Sequence, residues 1–304
     1  MNELLTLSDD VALALRRRRP VVALETTLVT HGLPHPQGLE TALELEGIVR
    51  AGGAVPATIG ILDGRVRVGL ARAELERLAT TREVAKVNLG NLAGVLAAGA
   101  AGSTTVAATM FVAAAAGIRV FATGGIGGVH RDAATSGDVS ADLPALARFP
   151  VAVVCAGAKA ILDLPRTVEM LETLGVPVLG LGTDEFPAFY RRSSGQRVDR
   201  RCDSVDEVAR VARAHWGLGL ATGVLVANPI PAADELPREA CERALESALA
   251  EAAERGLRGR EVTPFLLERL RALTGGATVT ANLALLRNNA RVAAELARAL
   301  AREE

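Results

Sequence analysis

Apolar residues recur at helical spacing in some stretches of this chain and run unbroken for four or five positions in others, and the two patterns alternate. Ser8-Asp9-Asp10 has the form of a helix cap and acidic first turn, and Arg16 to Arg19 stand where a helix C-terminus favours cations. Pro20 then precedes Val21-Val22-Ala23-Leu24, a buried-strand pattern. Helical periodicity over residues 37–51 closes at Gly52-Gly53. Residues 58–62 and 66–70 flank Asp63-Gly64, a strong hairpin signal. Helices are predicted over 71–79 and 89–98, with Ala85-Lys86-Val87 as a short strand between them. The alternation then becomes regular: helix 103–116, strand 120–123, strand 151–155, helix 158–174, strand 176–181, helix 204–216 and strand 223–227. From Pro237 the pattern is helical, broken near 256–259 and at Gly275-Gly276. Strands alternating with helices predict a three-layer α/β/α architecture with a mixed, largely parallel central sheet. No repeat or linker divides the chain, so a single domain over residues 1–304 is expected.

Composition narrows the class. The chain is 49% hydrophobic and only 3% aromatic, so its core is built from small aliphatic side chains. Thirty-four basic against 35 acidic residues leave a net charge of −1, which argues against a nucleic-acid partner. Cys155, Cys202 and Cys241 are odd in number and far apart, which fits a reducing cytoplasm better than a disulfide framework or a thiolate zinc site. The most apolar window, residues 106–118, falls short of the roughly 20 residues a bilayer span needs. The first twenty residues carry their positive charge after the apolar stretch, the reverse of a signal peptide. A cytoplasmic chain with no membrane partner is expected.

Of the 34 basic residues only two are lysine, Lys86 and Lys159. Arginine cannot deprotonate or form an imine, whereas a buried lysine can do both, so the two lysines are either positions where arginine would not serve or chance survivors on the surface. Lys159, in Val154-Cys155-Ala156-Gly157-Ala158-Lys159, is predicted one turn into a helix behind a buried strand. There the helix dipole and burial would both disfavour the ammonium.

Ligands of open α/β sheets collect beyond the C-terminal strand ends. Glu25, in Leu24-Glu25-Thr26-Thr27, is a carboxylate just past an apolar strand and needs a partner there; catalysis and a structural cap or ion pair both fit. The glycine segment Gly124-Gly125-Ile126-Gly127-Gly128 lets backbone approach a ligand, but it is neither a dinucleotide fingerprint nor a phosphate loop. Asp132, Asp138 and Asp142, with His130 and Ser136, could hold a hard divalent cation; Ser140 to Pro144 could equally start a capped helix. Gly102-Ser103-Thr104-Thr105 opens a predicted helix and offers N–H groups to a phosphate, or is a simple cap, with Lys86 as a charge partner. His31 and His35 are separated by Pro34 and form no helical metal pair, and His215 is expected to be structural.

Seven motifs in order resemble the pseudouridine-5'-phosphate glycosidase (indigoidine synthase A-like) family. They are Ala23-Leu24-Glu25-Thr26-Thr27, His31-Gly32-Leu33-Pro34, the glycine segment up to Arg131, Asp138-Val139-Ser140-Ala141-Asp142-Leu143, Val154 to Lys159, Asn228-Pro229-Ile230-Pro231 and Thr263-Pro264-Phe265-Leu266-Leu267. Relatives often have Glu-Ser-Thr where this chain has Glu25-Thr26-Thr27, an exchange of one hydroxyl for another. The resemblance implies an enzyme that reversibly cleaves the carbon–carbon glycosidic bond of pseudouridine 5'-phosphate to uracil and ribose 5-phosphate, with Mn²⁺. It implies Lys159 as covalent nucleophile, Glu25 as proton donor and Asp138 as metal ligand. It further implies Lys86, Val106, Ser140, Ala141 and Asp142 as substrate contacts, Asn282 at the uracil edge, and a homotrimer. The alternatives are another Schiff-base phosphosugar enzyme of the same family and a non-catalytic sugar-phosphate binding protein.

Overall fold

The structure is a computed structural model that describes residues 4–257 and 262–302, with backbone alone at 263 and 264. After a short strand, β1 (Leu5–Leu7), the Ser8 hydroxyl accepts the Val11 N–H, and α1 (Asp9–Arg16) begins where the Ser-Asp-Asp run predicts. β2 (Val21–Leu24) is wholly buried, and α2 (Gln37–Ala51) matches its predicted bounds. β3 (Val55–Leu62) and β4 (Arg65–Val68) pair antiparallel with Leu62 opposite Arg65. Asp63 and Gly64 between them both have positive φ, 52° and 66°, as a two-residue hairpin turn requires. α3 (Arg72–Thr80), β5 (Ala85–Val87) and α4 (Leu92–Ala97) follow in the predicted order. α4 starts late because Asn88 and Asn91 build a turn before it: Asn91 accepts the Asn88 N–H at 2.8 Å and donates to the Lys86 carbonyl at 3.0 Å.

The predicted helix 103–116 is wrong at its start. Gly102–Thr104 is a strand, β6, and the helix, α5 (Val106–Ala116), begins after Thr105. Ser103 is therefore no cap: it pairs opposite Lys86 of β5 and Gly60 of β3, and two ladders outweigh one capping bond. α5 is apolar on nearly every face and buried over its first turns, with Phe111 and Ala115 exposed, and burial there explains the apolar window.

β7 (Val120–Ala122), the short helices α6 (Ala133–Ser136) and α7 (Asp142–Leu146), and β8 (Ala152–Cys155) come next. The predicted helix 158–174 also starts too early. Gly157 has φ 79°, Ala158 bridges to Ile126, and the helix, α8 (Leu164–Thr173), opens only after Asp163, which accepts the Arg166 N–H. Lys159 thus lies on a loop, and the helix-dipole argument for its reactivity does not apply. β9 (Val178–Leu181), β10 (Arg200–Cys202), α9 (Val205–Gly217) and β11 (Val224–Ala227) complete the alternation. β10 carried too little apolar pattern to be predicted. Three helices close the chain: α10 (Arg238–Glu254), α11 (Val262–Leu273) and α12 (Ala277–Ala301). Of the break expected near 256–259, residues 258 and 259 lie outside the described residues.

The sheet runs β1-β4-β3-β2-β7-β8-β11-β9-β10, with β6 bridging β3 and β5. Its central strands β2, β7, β8, β11 and β9 are all parallel, whereas β3–β4 and β3–β6 are antiparallel. α2 and α9 each pack on α12, which lies across β2, β7 and β8, while α1 and α5 lie against strands of the same sheet and α5 packs on α7. The architecture is the expected mixed, largely parallel three-layer α/β/α. No helix among the described residues is long and apolar enough to cross a membrane.

Candidate active site

Adjacent parallel strands bring their carboxyl ends to one edge of the sheet. The order β2-β7-β8-β11 therefore lines up Glu25, Thr123, the Ala156 to Lys159 segment and Asn228. Leu24 pairs with Ala122, so the next residues, Glu25 and Thr123, face each other, and the Thr123 hydroxyl donates to Glu25 Oε1. Burial raises the Glu25 pKa; Lys159, the Thr123 hydrogen bond and Lys86 oppose the rise, and Asp142 adds to it. A carboxyl so placed keeps its proton at higher pH than an ordinary glutamate, as a general acid needs.

Lys159 reaches this edge through an interlock with the glycine segment. Ile126 donates its N–H to the Gly157 carbonyl at 3.0 Å, and Lys159 donates its own to the Ile126 carbonyl at 3.1 Å. A Cβ on Gly157 would stand 2.0 Å from the Pro187 carbonyl, so only glycine fits there. The Lys159 charge acts on Glu25, Lys86 and Cys155. Burial pushes the Cys155 thiol up to about 12, which leaves it inert.

Lys86 arrives from β5, the strand that β6 ties to β3. It is exposed as a residue, yet desolvation of its ammonium and then the charge of Lys159 lower its pKa, against the pull of Glu25 and Asp142. The only two lysines of the chain thus converge on one carboxyl group.

The Asp142 carboxylate is buried and held by backbone: Oδ1 accepts the Ala107 N–H at 2.9 Å and Oδ2 the Gly127 N–H at 2.7 Å. It ties the α5 N-terminus to the glycine segment. Ser140 Oγ accepts the Asp142 N–H at 3.2 Å, and Ser140 and Ala141 are half-buried beside it. Val106 is the first residue of α5, where an N–H has no intrahelical acceptor. Next to it Thr105 Oγ1 is buried without a hydrogen-bond partner. Of the segment 102–105, Ser103 is taken up in the ladder, and the groups left without a protein partner beside the α5 N-terminus are those of Thr105 and Val106.

The carboxylate cluster read at residues 132–142 does not assemble. Asp142 is committed to backbone, Asp132 is exposed, and no group of three or more His, Cys, Asp or Glu side chains among the described residues could hold a metal ion. Asp138 is half-buried, with His130 Nδ1 at 3.9 Å from its Oδ2. One carboxylate with open lone pairs fits a hard divalent cation that keeps most of its waters, and does not fit a closed protein cage.

A cleft of about 260 Å³ opens alongside, lined by Thr30, His31, Tyr190, Glu268, Arg271 and Asn282 among others. Asn282, half-buried on α12, has its Oδ1 3.4 Å from where a Gly124 Cβ would stand. Burial and then Lys86 hold the His31 imidazole below its usual pKa, against a hydrogen bond involving Val84. His31 sits in a single π-type turn, Leu28–Gly32, and its Nδ1 lies 2.6 Å from the Thr30 hydroxyl, which donates to Ser103 Oγ at 2.8 Å. His31 and the glycine segment that begins at Thr123 were legible as motifs without a role for either side chain, whereas Tyr190 lies in no motif the sequence offered. His215 is structural as expected, with Nε2 2.7 Å from the Thr222 hydroxyl.

The described chain matches the family model for indigoidine synthase A like protein over residues 10–299. It is 58% identical to the pseudouridine-5'-phosphate glycosidase of Nocardioides sp. (strain ATCC BAA-499 / JS614), over 97% of this chain and 96% of that one. It is 55% identical to the pseudouridine-5'-phosphate glycosidase of Caldanaerobacter subterraneus subsp. tengcongensis, over 98% and 97%. Among solved structures, prealnumycin C-glycosynthase AlnA in complex with ribulose 5-phosphate superposes with a TM-score of 0.93 at 43% identity, covering 99% of this chain and 98% of that one. An indigoidine synthase A-like protein of Thermotoga maritima does so with a TM-score of 0.89 at 38% identity, covering 98% and 97%.

Proposed function

The chain belongs to the indigoidine synthase A-like family, and we propose that it is an enzyme cleaving the carbon–carbon glycosidic bond of pseudouridine 5'-phosphate to uracil and ribose 5-phosphate. The observation that carries the reading is the convergence of the chain's only two lysines on Glu25, whose pKa burial raises. The names of its full-length relatives support the same substrate.

A carbon-linked base offers no leaving heteroatom, so protonating a glycosidic oxygen cannot release it. Glu25 instead gives its proton to the ribose ring oxygen as the C1'–O4' bond breaks. Lys159 Nζ bonds to C1' through its lone pair, and the extra proton this leaves on nitrogen passes to the Glu25 carboxylate, which frees the lone pair again. The nitrogen lone pair then drives cleavage of the C1'–C5 bond while uracil C5 takes up a proton, leaving an iminium between Lys159 and the open sugar. Water hydrolyses it to ribose 5-phosphate and free lysine. Lys86, Thr105 and the Val106 N–H would hold the phosphate, Ser140 to Asp142 the sugar, and Asn282 the uracil edge.

Asp138 would hold a divalent cation, Mn²⁺ in this reading, with water completing its shell. Such an ion supplies positive charge that orients and polarises substrate oxygens. Glu25, Lys159 and Asn282 come from the first, middle and last thirds of the chain, so residues 1–304 are proposed to work as one unit, in the cytoplasm and as a homotrimer.

The test is incubation of the purified protein with pseudouridine 5'-phosphate and Mn²⁺, with and without a chelator, and quantification of uracil. Uracil that appears only with metal supports both assignments. No uracil, with ribose 5-phosphate still trapped on lysine by borohydride, would move the reading to another Schiff-base phosphosugar enzyme. Thermal stabilisation by substrate without either would leave a binding protein.

A further inference from the structure

Asn289 lies on α12 two turns beyond Asn282, on the same helix face, and is fully buried. Its Nδ2 donates to the Thr123 carbonyl at 2.7 Å and reaches the Gly124 carbonyl at 3.4 Å. Its Oδ1 accepts from Asn228 Nδ2 at 2.8 Å. Two carbonyls cannot accept from an oxygen, so the amide has one possible orientation. Asn228, buried at the end of β11, also donates its backbone N–H to the Cys155 carbonyl at 2.8 Å, and the Gly124 carbonyl accepts the Ala156 N–H at 2.9 Å. Asn288 donates to the Pro229 carbonyl at 3.3 Å and fastens the same segment to α12. One buried amide pair thus clamps the ends of β7, β8 and β11, and the residue it grips most closely is the one whose hydroxyl donates to Glu25.

We infer that Asn289, seated by Asn228, is a positioning residue: it fixes the Thr123 backbone so that the Thr123 hydroxyl holds Glu25 Oε1 and leaves Oε2 aimed for proton transfer. A scaffold role alone would not require the contact to fall on Thr123. Simple packing of α12 is already supplied by Ala281, Leu285, Val292 and Leu296. The inference rests on the glycosidase reading for its kinetic arm only.

The test is a double-mutant cycle between Asn289→Ala and Thr123→Val, the latter removing the hydroxyl while keeping the carbonyl that Asn289 grips. Each single variant is expected to lower kcat for uracil release about tenfold or more, with KM changed less than about threefold, and the double variant to be no slower than the slower single. Multiplying losses, or an Asn289→Ala enzyme with a lowered Tm and unchanged kcat, would overturn the proposal. Asn228→Ala, which spares the Thr123 contact, should give a smaller loss and serves if Asn289→Ala does not fold. A readout independent of turnover is the ¹³C carboxyl resonance of Glu25, identified by its disappearance in Glu25→Gln. Asn289→Ala should move it in the same direction as Thr123→Val, and an unmoved resonance contradicts the inference. If the wild-type protein releases no uracil, the glycosidase reading fails and this resonance alone decides the role of Asn289.

Discussion

Thr123 and Glu25, 98 positions apart in the chain, share a hydrogen bond because β7 and β2 are neighbours in the sheet and end in register. The hydroxyl offsets part of what burial does to the carboxyl group, and the lysines offset more. Glu25 is thereby kept as an acid with defined geometry.

Lys159→Ala should lose uracil release by at least about a thousandfold, because the iminium of this reading forms on its amine. Lys159→Arg should lose as much, since arginine keeps the charge and cannot form an imine. Borohydride reduction in the presence of ribose 5-phosphate, followed by peptide mass mapping, should place the sugar adduct on Lys159 in the wild type. An adduct on Lys86 would reverse the roles of the two lysines.

Glu25→Gln should lower kcat by about 10²–10⁴-fold, the usual contribution of a general acid. In the wild type, activity should fall as pH rises through the raised Glu25 pKa, since the acid form is the working form. The same shift has a stability consequence. Its contribution is fully present below the ordinary carboxyl value of 4.5 and is lost as pH climbs through the folded-state pKa, where a charge must be buried. Tm measured against pH should show Glu25→Gln gaining on the wild type toward alkaline pH, and parallel curves would refute the buried-acid assignment.

Asp142→Asn should destabilise the fold by about 1–3 kcal/mol, because one of the two buried N–H groups it now accepts, from Ala107 or Gly127, would face an amide donor. Gly127→Ala should have a similar effect of about 1–3 kcal/mol, as its Cβ would stand 2.2 Å from Ser140 Oγ and 2.9 Å from Asp142 Oδ2. Both are read by denaturant unfolding. KM for the sugar phosphate should rise in both, and an unchanged KM would remove the 140–142 segment from the substrate site.

Asp138→Asn should raise the Mn²⁺ concentration for half-maximal activity by about tenfold or more while leaving Tm within about a degree, since no described hydrogen bond depends on its side chain. Chelation of the wild type should be reversed by added Mn²⁺. A variant with unaltered metal dependence would show that the cation, if used, is held elsewhere.

Where the signal is local, the sequence was enough. The Ser8 cap, the span of α2 and the Asp63-Gly64 turn depend on residues within a few positions of each other, and all three stand as the pattern predicts. The alternation of elements determined the three-layer architecture, and the scarcity of lysine with the strand-end carboxylate marked Lys86, Lys159 and Glu25. Tertiary structure decided what depends on distant partners. Ser103 looks like a cap until β5 and β3 take it into a ladder, and Lys159 looks helical until Gly157 and Ile126 draw it into a loop. Pairing of Thr123 with Glu25, the backbone duty of Asp142 and the grip of Asn289 follow from strand order and from where α12 crosses the sheet. Capping and turn energies are fixed by short-range geometry, whereas ladder register and buried polar pairing are fixed only once remote segments meet.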